Sequence, residues 1–432
     1  MKTPLMWYTS RTPIVEGQTH CAFSRWLGYH AGPHGTGWHR QENYIPLATG
    51  SGVHRGLELL GGWLKDANNE SPTPEVIAWA ATEAAATYEQ QARAKGLVLN
   101  LGEASSGLDS LILEQRTLIE GLVWVWAIER LPGLLRDYRV LDVEKEELLI
   151  LDCTGGLGKV VCNDTLHELR GCQGIVQMGR ADWLLESRTS RDVIYVEFKT
   201  KATPNMGWER AWEHSGQLLV NMEAASHRLG KPVSAAMIDV LYKGRRWGKD
   251  EAPKQQQSSV CYGIYEPGGL GAGSSSWSSW RQRKEREYWS STVPIWDESY
   301  PMAACRIGAS RVESWISPRS WPGVVQVLGP FPRPAALVEA ALNSIMASER
   351  QWRTNVATIR RSVEPDYQAT QCIDRSWQCT SFDGSPCQFV PICFDQPEAM
   401  RLYQPRVPHH APEKAAFERA GMTFASETSE AE

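Results

Sequence analysis

Residues 179–202 read GRADWLLESRTSRDVIYVEFKTKA, and the alternation inside this stretch decides the fold class. Residues 178–185 and 193–200 are short apolar, β-branched runs on either side of a polar turn at 187–192, which predicts two hairpin strands. Successive side chains of a strand point to opposite faces. Tyr195, Glu197 and Lys199 therefore share one face of the second strand, and Ile194, Val196 and Phe198 share the other. Asp182, expected at the start of the first strand, comes within hairpin reach of Glu197.

This grouping has a chemical reading. Two carboxylates close together repel each other and bind a hard divalent cation well. A cation there acidifies a bound water and neutralises phosphate charge, and a nearby ammonium orients or deprotonates that water. An isolated Glu-x-Lys is more often an exposed pair on an amphipathic strand, so the assignment depends on further partners. Three are candidates. His54 follows the small-residue stretch Gly50–Ser51–Gly52, expected to be a turn at the start of the helix GSGVHRGLELL. Glu120 stands among apolar residues in LIEGLVWVWAIE, and Gln217 lies in HSGQLLVNMEAA on an inward helix face.

Working outward, residues 53–64, 74–95 and 108–130 carry helical apolar spacing, and Pro132 is expected to end the third helix. Residues 138–143 and 147–151 read as two further strands. A helix over 208–229 and a strand over 235–242 follow the hairpin, and a late helix spans 334–361. Helices, strands, helix and strand in this order define an α/β core. The expected organisation is an N-terminal segment (1–50), a core with a helical insertion (51–245), a loop-rich insertion (246–333), a C-terminal helix with a cysteine segment (334–407), and a disordered polar tail (408–432).

The C-terminal run WQCTSFDGSPCQFVPIC places Cys379, Cys387 and Cys393 together, and Cys21 stands alone near the start in HCAFSRWLGYH. In a reducing compartment such thiolates suggest zinc or an iron–sulfur cluster. Paired Cys-x2-Cys knuckles of a zinc ribbon are absent, and four buried thiols are the bland alternative. Cys372, just upstream, is the alternative to one of the three C-terminal cysteines.

The order and spacing of these residues resemble the RecB-like branch of the PD-(D/E)xK nucleases, particularly CRISPR-associated and phage exonucleases, over residues 20–245 and the cysteine segment. The resemblance implies a restriction-endonuclease-like core, a mixed sheet flanked by helices. It implies metal ligation by His54, Asp182 and Glu197, with Lys199 and Gln217 completing the catalytic set and Mg²⁺ or Mn²⁺ as the cation. It implies a 4Fe-4S cluster on Cys21, Cys379, Cys387 and Cys393, joining the N- and C-terminal segments. The family often has tyrosine four residues after the glutamine; here Asn221 stands there. The strand VLDVEKE, with Glu144, looks like the family's pre-catalytic strand without a defined role. By the loop-entropy model, linking residue 21 to residue 379 would stabilise the fold by roughly 6 kcal/mol.

Composition is compatible with this reading but does not select it. The chain has 432 residues, 42% hydrophobic and 22% charged, with a net charge of −5 that gives no global sign of a nucleic-acid partner. Basic clusters at 243–249 and 281–286 are local. No apolar run is long enough to span a bilayer and no secretion signal opens the chain, so a cytoplasmic location is expected. CTGGLGKV (153–160) fails as a phosphate loop because Val160 stands where Ser or Thr must hold Mg²⁺. Strand separation would then fall to a separate helicase or recombinase. The expected function is a DNA exonuclease acting on DNA ends in recombination, repair or phage DNA processing. A catalytically silent DNA-binding scaffold and a zinc-stabilised interaction protein are the alternatives.

Overall fold

A computed structural model gives the fold over residues 5–10, 22–32, 37–41, 43–95, 97–98, 108–153, 174–201, 210–242, 245–246, 261–262, 325–360, 387–393, 398–406 and 423–424. In chain order the main elements are strand β1 (Leu5–Ser10), helix α1 (Ala22–Tyr29), strand β2 (Trp38–Arg40), and helices α2 (Ile45–Asp66), α3 (Pro74–Lys95), α4 (Leu108–Glu129) and α5 (Leu131–Asp137). Strands β3 (Tyr138–Cys153), β4 (Gly174–Ser187) and β5 (Val193–Lys201) follow, then helix α6 (Gly216–Leu229) and strands β6 (Val233–Tyr242) and β7 (Val325–Pro332). Helix α7 (Ala335–Arg360) and strands β8 (Tyr403–Pro405) and β9 (Thr423–Phe424) complete the set.

Seven of these strands form one mixed sheet in the order β7-β6-β5-β4-β1-β9, with β3 on the other edge of β4. β3, β4 and β5 run antiparallel in succession, and α6 then crosses over to bring β6 parallel to β5. A parallel neighbour requires such a crossover, which is why a helix must stand between these two strands.

Helices cover both faces. Ile194, Val196 and Phe198 of β5 pack with α2, α3, α4 and α5, around Leu57, Leu60, Trp124 and Trp126. Tyr195 points the other way, into a second core with Trp26 of α1, Leu218 and Met222 of α6, and Leu342 and Trp352 of α7. The alternation legible in VIYVEFK thus divides the molecule into two layers.

The α2–α4 contact depends on two glycines. A Cβ on Gly52 would stand 2.5 Å from Ile119 Cδ1, and one on Gly56 2.5 Å from Val123 Cγ2. One turn apart, they let α4 approach closely, and Thr49 donates a buried 2.8 Å hydrogen bond to Gln115 beside them. This explains one departure from expectation: Gly50–Ser51–Gly52 is not a turn but lies inside α2, which starts at Ile45 and crosses the expected boundary at residue 50. Gly52 serves packing, not chain reversal.

Other departures have similar causes. The third helix does end before Pro132, at Glu129, but a short helix follows at once, and Pro132 sits in the first turn of that α5, where its missing N–H costs nothing. The two strands expected over 138–151 are one long strand, β3, irregular near Val140 and Ile150. Asp182 lies within β4 and not at its start, because that strand begins at Gly174. The expected loop-rich insertion contains a sheet strand, β7, and the expected disordered tail contains Thr423–Phe424, paired in parallel with Leu5 and Met6.

Among the described residues, the N- and C-terminal parts meet through direct contacts. Arg25 of α1 and Glu349 of α7 form a buried ion pair at 2.7 Å, with the guanidinium 4.7 Å from the Trp352 ring. Trp352 donates to His30 at 3.0 Å, and β8 pairs with β2. No helix among the described residues is long and apolar enough to cross a membrane.

Candidate active site

The site lies where the sheet opens. β5 is paired with β4 only from Trp183/Val196 to Glu186/Val193, and β1 is paired with the same edge only over Gly174 to Met178. Between these ladders, Gly179 to Asp182 have no strand partner on that edge among the described residues. Asp182 uses the gap: its Oδ2 accepts the Phe198 backbone N–H at 2.7 Å, a donor the parted ladder would otherwise leave unmet. The opening lets side chains from both helical layers meet.

His54 arrives from α2. Its Nδ1 lies 3.6 Å from Asp182 Oδ2, and its ring meets the edge of Phe198 at 6.3 Å between centroids. Phe198 is braced by Trp126 and Trp183, each edge-on at 5.4 Å. Glu144 arrives from β3, at a residue with φ +48°, a left-handed conformation in mid-strand. That turn of the backbone aims the carboxylate at the gap. His54, Glu144 and Asp182 offer ligand atoms that all lie within 4.8 Å of one another. One divalent cation could be held by all three, with the side chains drawing closer around it, and would supply positive charge and Lewis acidity there. Two carboxylates with one imidazole suit Mn²⁺ better than an all-oxygen Mg²⁺ site.

Glu197 forms a second group beside the first, not one of these three ligands. Lys199 Nζ and the Tyr195 hydroxyl both make short hydrogen bonds to its carboxylate. Gln217 of α6 donates Nε2 to Glu197 Oε1 at 3.0 Å, while its own Oε1 is buried and has no hydrogen-bond partner among the described residues. Lys199 Nζ stands 5.5 Å from the centre of the Trp212 ring. Asp142, two residues before Glu144, ties the layers together: Lys65 of α2 and Arg228 of α6 each reach it at 2.7 Å.

The charges are tuned by this crowding. Burial, then the negative charge of Asp182, push the Glu144 carboxyl up to about 8. Burial pushes Asp182 upward too, but His54, Lys199 and the Phe198 N–H outweigh it and hold the carboxyl below its ordinary value. Burial pulls the His54 imidazole down, and the charge and hydrogen bond of Asp182 carry it above its ordinary value. Without a cation, Glu144 therefore keeps its proton at neutral pH while Asp182 is ionised.

The structure brings His54, Asp182, Glu197, Lys199 and Gln217 into one neighbourhood and adds Glu144. Glu120 is not part of it; burial raises its carboxyl, with Arg116 one turn away as the opposing charge. Cys387 and Cys393 are half-buried, and Cys387 Sγ lies 3.8 Å from Ser24 of α1, which begins one residue after Cys21. Cys21, Cys372 and Cys379 lie outside the described residues. No protein-family profile matches this sequence, and no curated protein matches it.

Proposed function

We propose that this chain is a metal-dependent DNA exonuclease of the PD-(D/E)xK type, RecB-like branch, with a restriction-endonuclease-like core. The observation that carries the reading is the opening in the sheet. It collects His54, Glu144 and Asp182 within one coordination span and sets Glu197, Lys199 and Gln217 against it. A divalent cation held by the first three supplies charge neutralisation for a phosphate and acidifies water. Lys199, kept beside Glu197, offers an ammonium to a non-bridging phosphate oxygen as negative charge grows there. Glu197 accepts a proton or a hydrogen bond from the attacking water. The unmet Oε1 of Gln217 fixes that water's orientation, since a buried acceptor without a donor is costly to leave empty.

The cysteine segment supports a structural 4Fe-4S cluster beside this core. Cys387 lies beside Ser24 of α1, Cys393 packs against the same core, and Cys21 directly precedes α1 in sequence. The cluster would reinforce a junction already made by the Arg25–Glu349 pair.

Digestion of end-labelled DNA with Mn²⁺, Mg²⁺ or Ca²⁺ tests the reading. Wild type should shorten DNA with Mn²⁺ and Mg²⁺, and Lys199→Ala should not, with its melting temperature preserved. A wild type inactive on every DNA end, yet retaining DNA binding, would favour the scaffold alternative.

A further inference from the structure

Strand β5 and helix α6 meet in two rungs. Two residues along a strand advance about 6.6 Å, and four along a helix advance about 6 Å. Gln217 and Asn221 on α6 therefore stand opposite Glu197 and Tyr195 on β5. The first rung is the Gln217–Glu197 hydrogen bond. In the second, Asn221 Nδ2 donates to the Tyr195 hydroxyl oxygen at 3.1 Å. The rungs are linked along the strand, because the same hydroxyl donates to Glu197 Oε2.

A phenol has one proton to give. With its oxygen already accepting from Asn221, that proton is directed to Glu197. All three groups are withdrawn from solvent: Tyr195 is 0% exposed, Asn221 7% and Glu197 3%. Space for the amide is provided from the sheet. A Cβ on Gly179 would stand 3.0 Å from Asn221 Oδ1, and Gly179 pairs with β3 on one edge while its other edge has no described strand.

We propose that Asn221 and Tyr195 are positioning residues that fix the Glu197 carboxylate, holding Oε2 so that Oε1 faces Lys199 and Gln217. Neither touches the cation or the DNA. Their effect passes through Glu197 alone, and the inference rests on the nuclease reading above.

The test compares Tyr195→Phe, Asn221→Leu and the double variant under saturating Mn²⁺ and DNA. Tyr195→Phe removes only the hydroxyl. Asn221→Leu keeps the size and branching of the side chain but removes the amide donor that directs the phenol proton. Each should lower kcat by roughly 10- to 100-fold, the usual cost of losing a partner that orients an active-site group. KM for DNA, Mn²⁺ affinity and melting temperature should stay near wild type. The double variant should be no worse than Tyr195→Phe, because both changes break one relay. Full kcat in Tyr195→Phe, multiplicative losses in the double variant, or losses that track melting temperature would overturn the relay while leaving the nuclease reading intact. A wild type that digests no DNA with any cation refutes both.

Discussion

At the scale of single residues, Glu144 gives the site its clearest signature. Its carboxyl sits at about 8 in the metal-free protein, against 4.5 for an ordinary glutamate. The folded state then holds a proton that the unfolded chain has released, so this group's contribution to stability falls as pH rises from about 4.5 through 8. The raised His54 acts in the same direction, its contribution complete below 6.5 and lost above its own elevated pKa. Cation binding requires the ionised carboxylate, so Mn²⁺ affinity should rise over the same window and level off beyond it. Melting curves from pH 6 to 9 should show metal-free stability declining and Mn²⁺ restoring it most at high pH, with Glu144→Gln flattening both trends. Lys199→Ala should reduce kcat by roughly 10²- to 10⁴-fold, the range for losing a group that assists proton transfer. Most of these residues are legible in the sequence, since the alternation around Glu197 and Lys199 needs only a strand. Glu144 is not. Its orientation comes from one left-handed backbone step that no periodicity signals, at the place where the charged run Glu144–Glu147 makes the strand look interrupted.

At the scale of elements, α2 presents His54 because α4 lies close against it. Gly52, which looks like part of a turn in the sequence, forms with Gly56 the contact that sets this distance. Gly56→Val should destabilise the fold by about 1–3 kcal/mol through overpacking against Val123, read as a lower melting temperature. Gly62→Ala on the same helix meets nothing within 4 Å and should instead stabilise by about 0.5–1 kcal/mol. Helix positions and the faces of β5 follow from spacing alone. The parting of β4 from β5 does not, because it depends on β1 arriving from the far N-terminus to pair with the other half of β4. Long-range pairing of that kind leaves no local trace in GRADWLLES.

At the scale of the whole molecule, acidic and basic clamps hold the layers and the two chain ends in place. Glu186 is held down to about 2 by Lys231 and Arg139, with Arg191 also within 3.1 Å. Its contribution to stability is present above about 4.5 and lost as pH falls toward 2, so Glu186→Gln should make acid unfolding shallower in that range. Glu349→Gln leaves the Arg25 guanidinium buried without its counter-charge and should cost about 3–5 kcal/mol. Iron analysis after anaerobic purification tests the cysteine bracket: visible charge-transfer absorption with iron supports the cluster, and one zinc without iron overturns it. The two-layer α/β plan is legible in the order of periodic segments. The joining of the ends is not, because the Arg25–Glu349 pair, 324 residues apart in sequence, leaves no local pattern to read.

The account turns on a cation held at the opening in the sheet, and calorimetric titration of the DNA-free protein with Mn²⁺ tests that most directly. Wild type should bind one Mn²⁺ saturably, Glu144→Gln and His54→Ala should bind it roughly 10- to 100-fold more weakly, and Asp182→Asn should lose it. Unchanged binding in Asp182→Asn, or no saturable binding in wild type, would contradict the account.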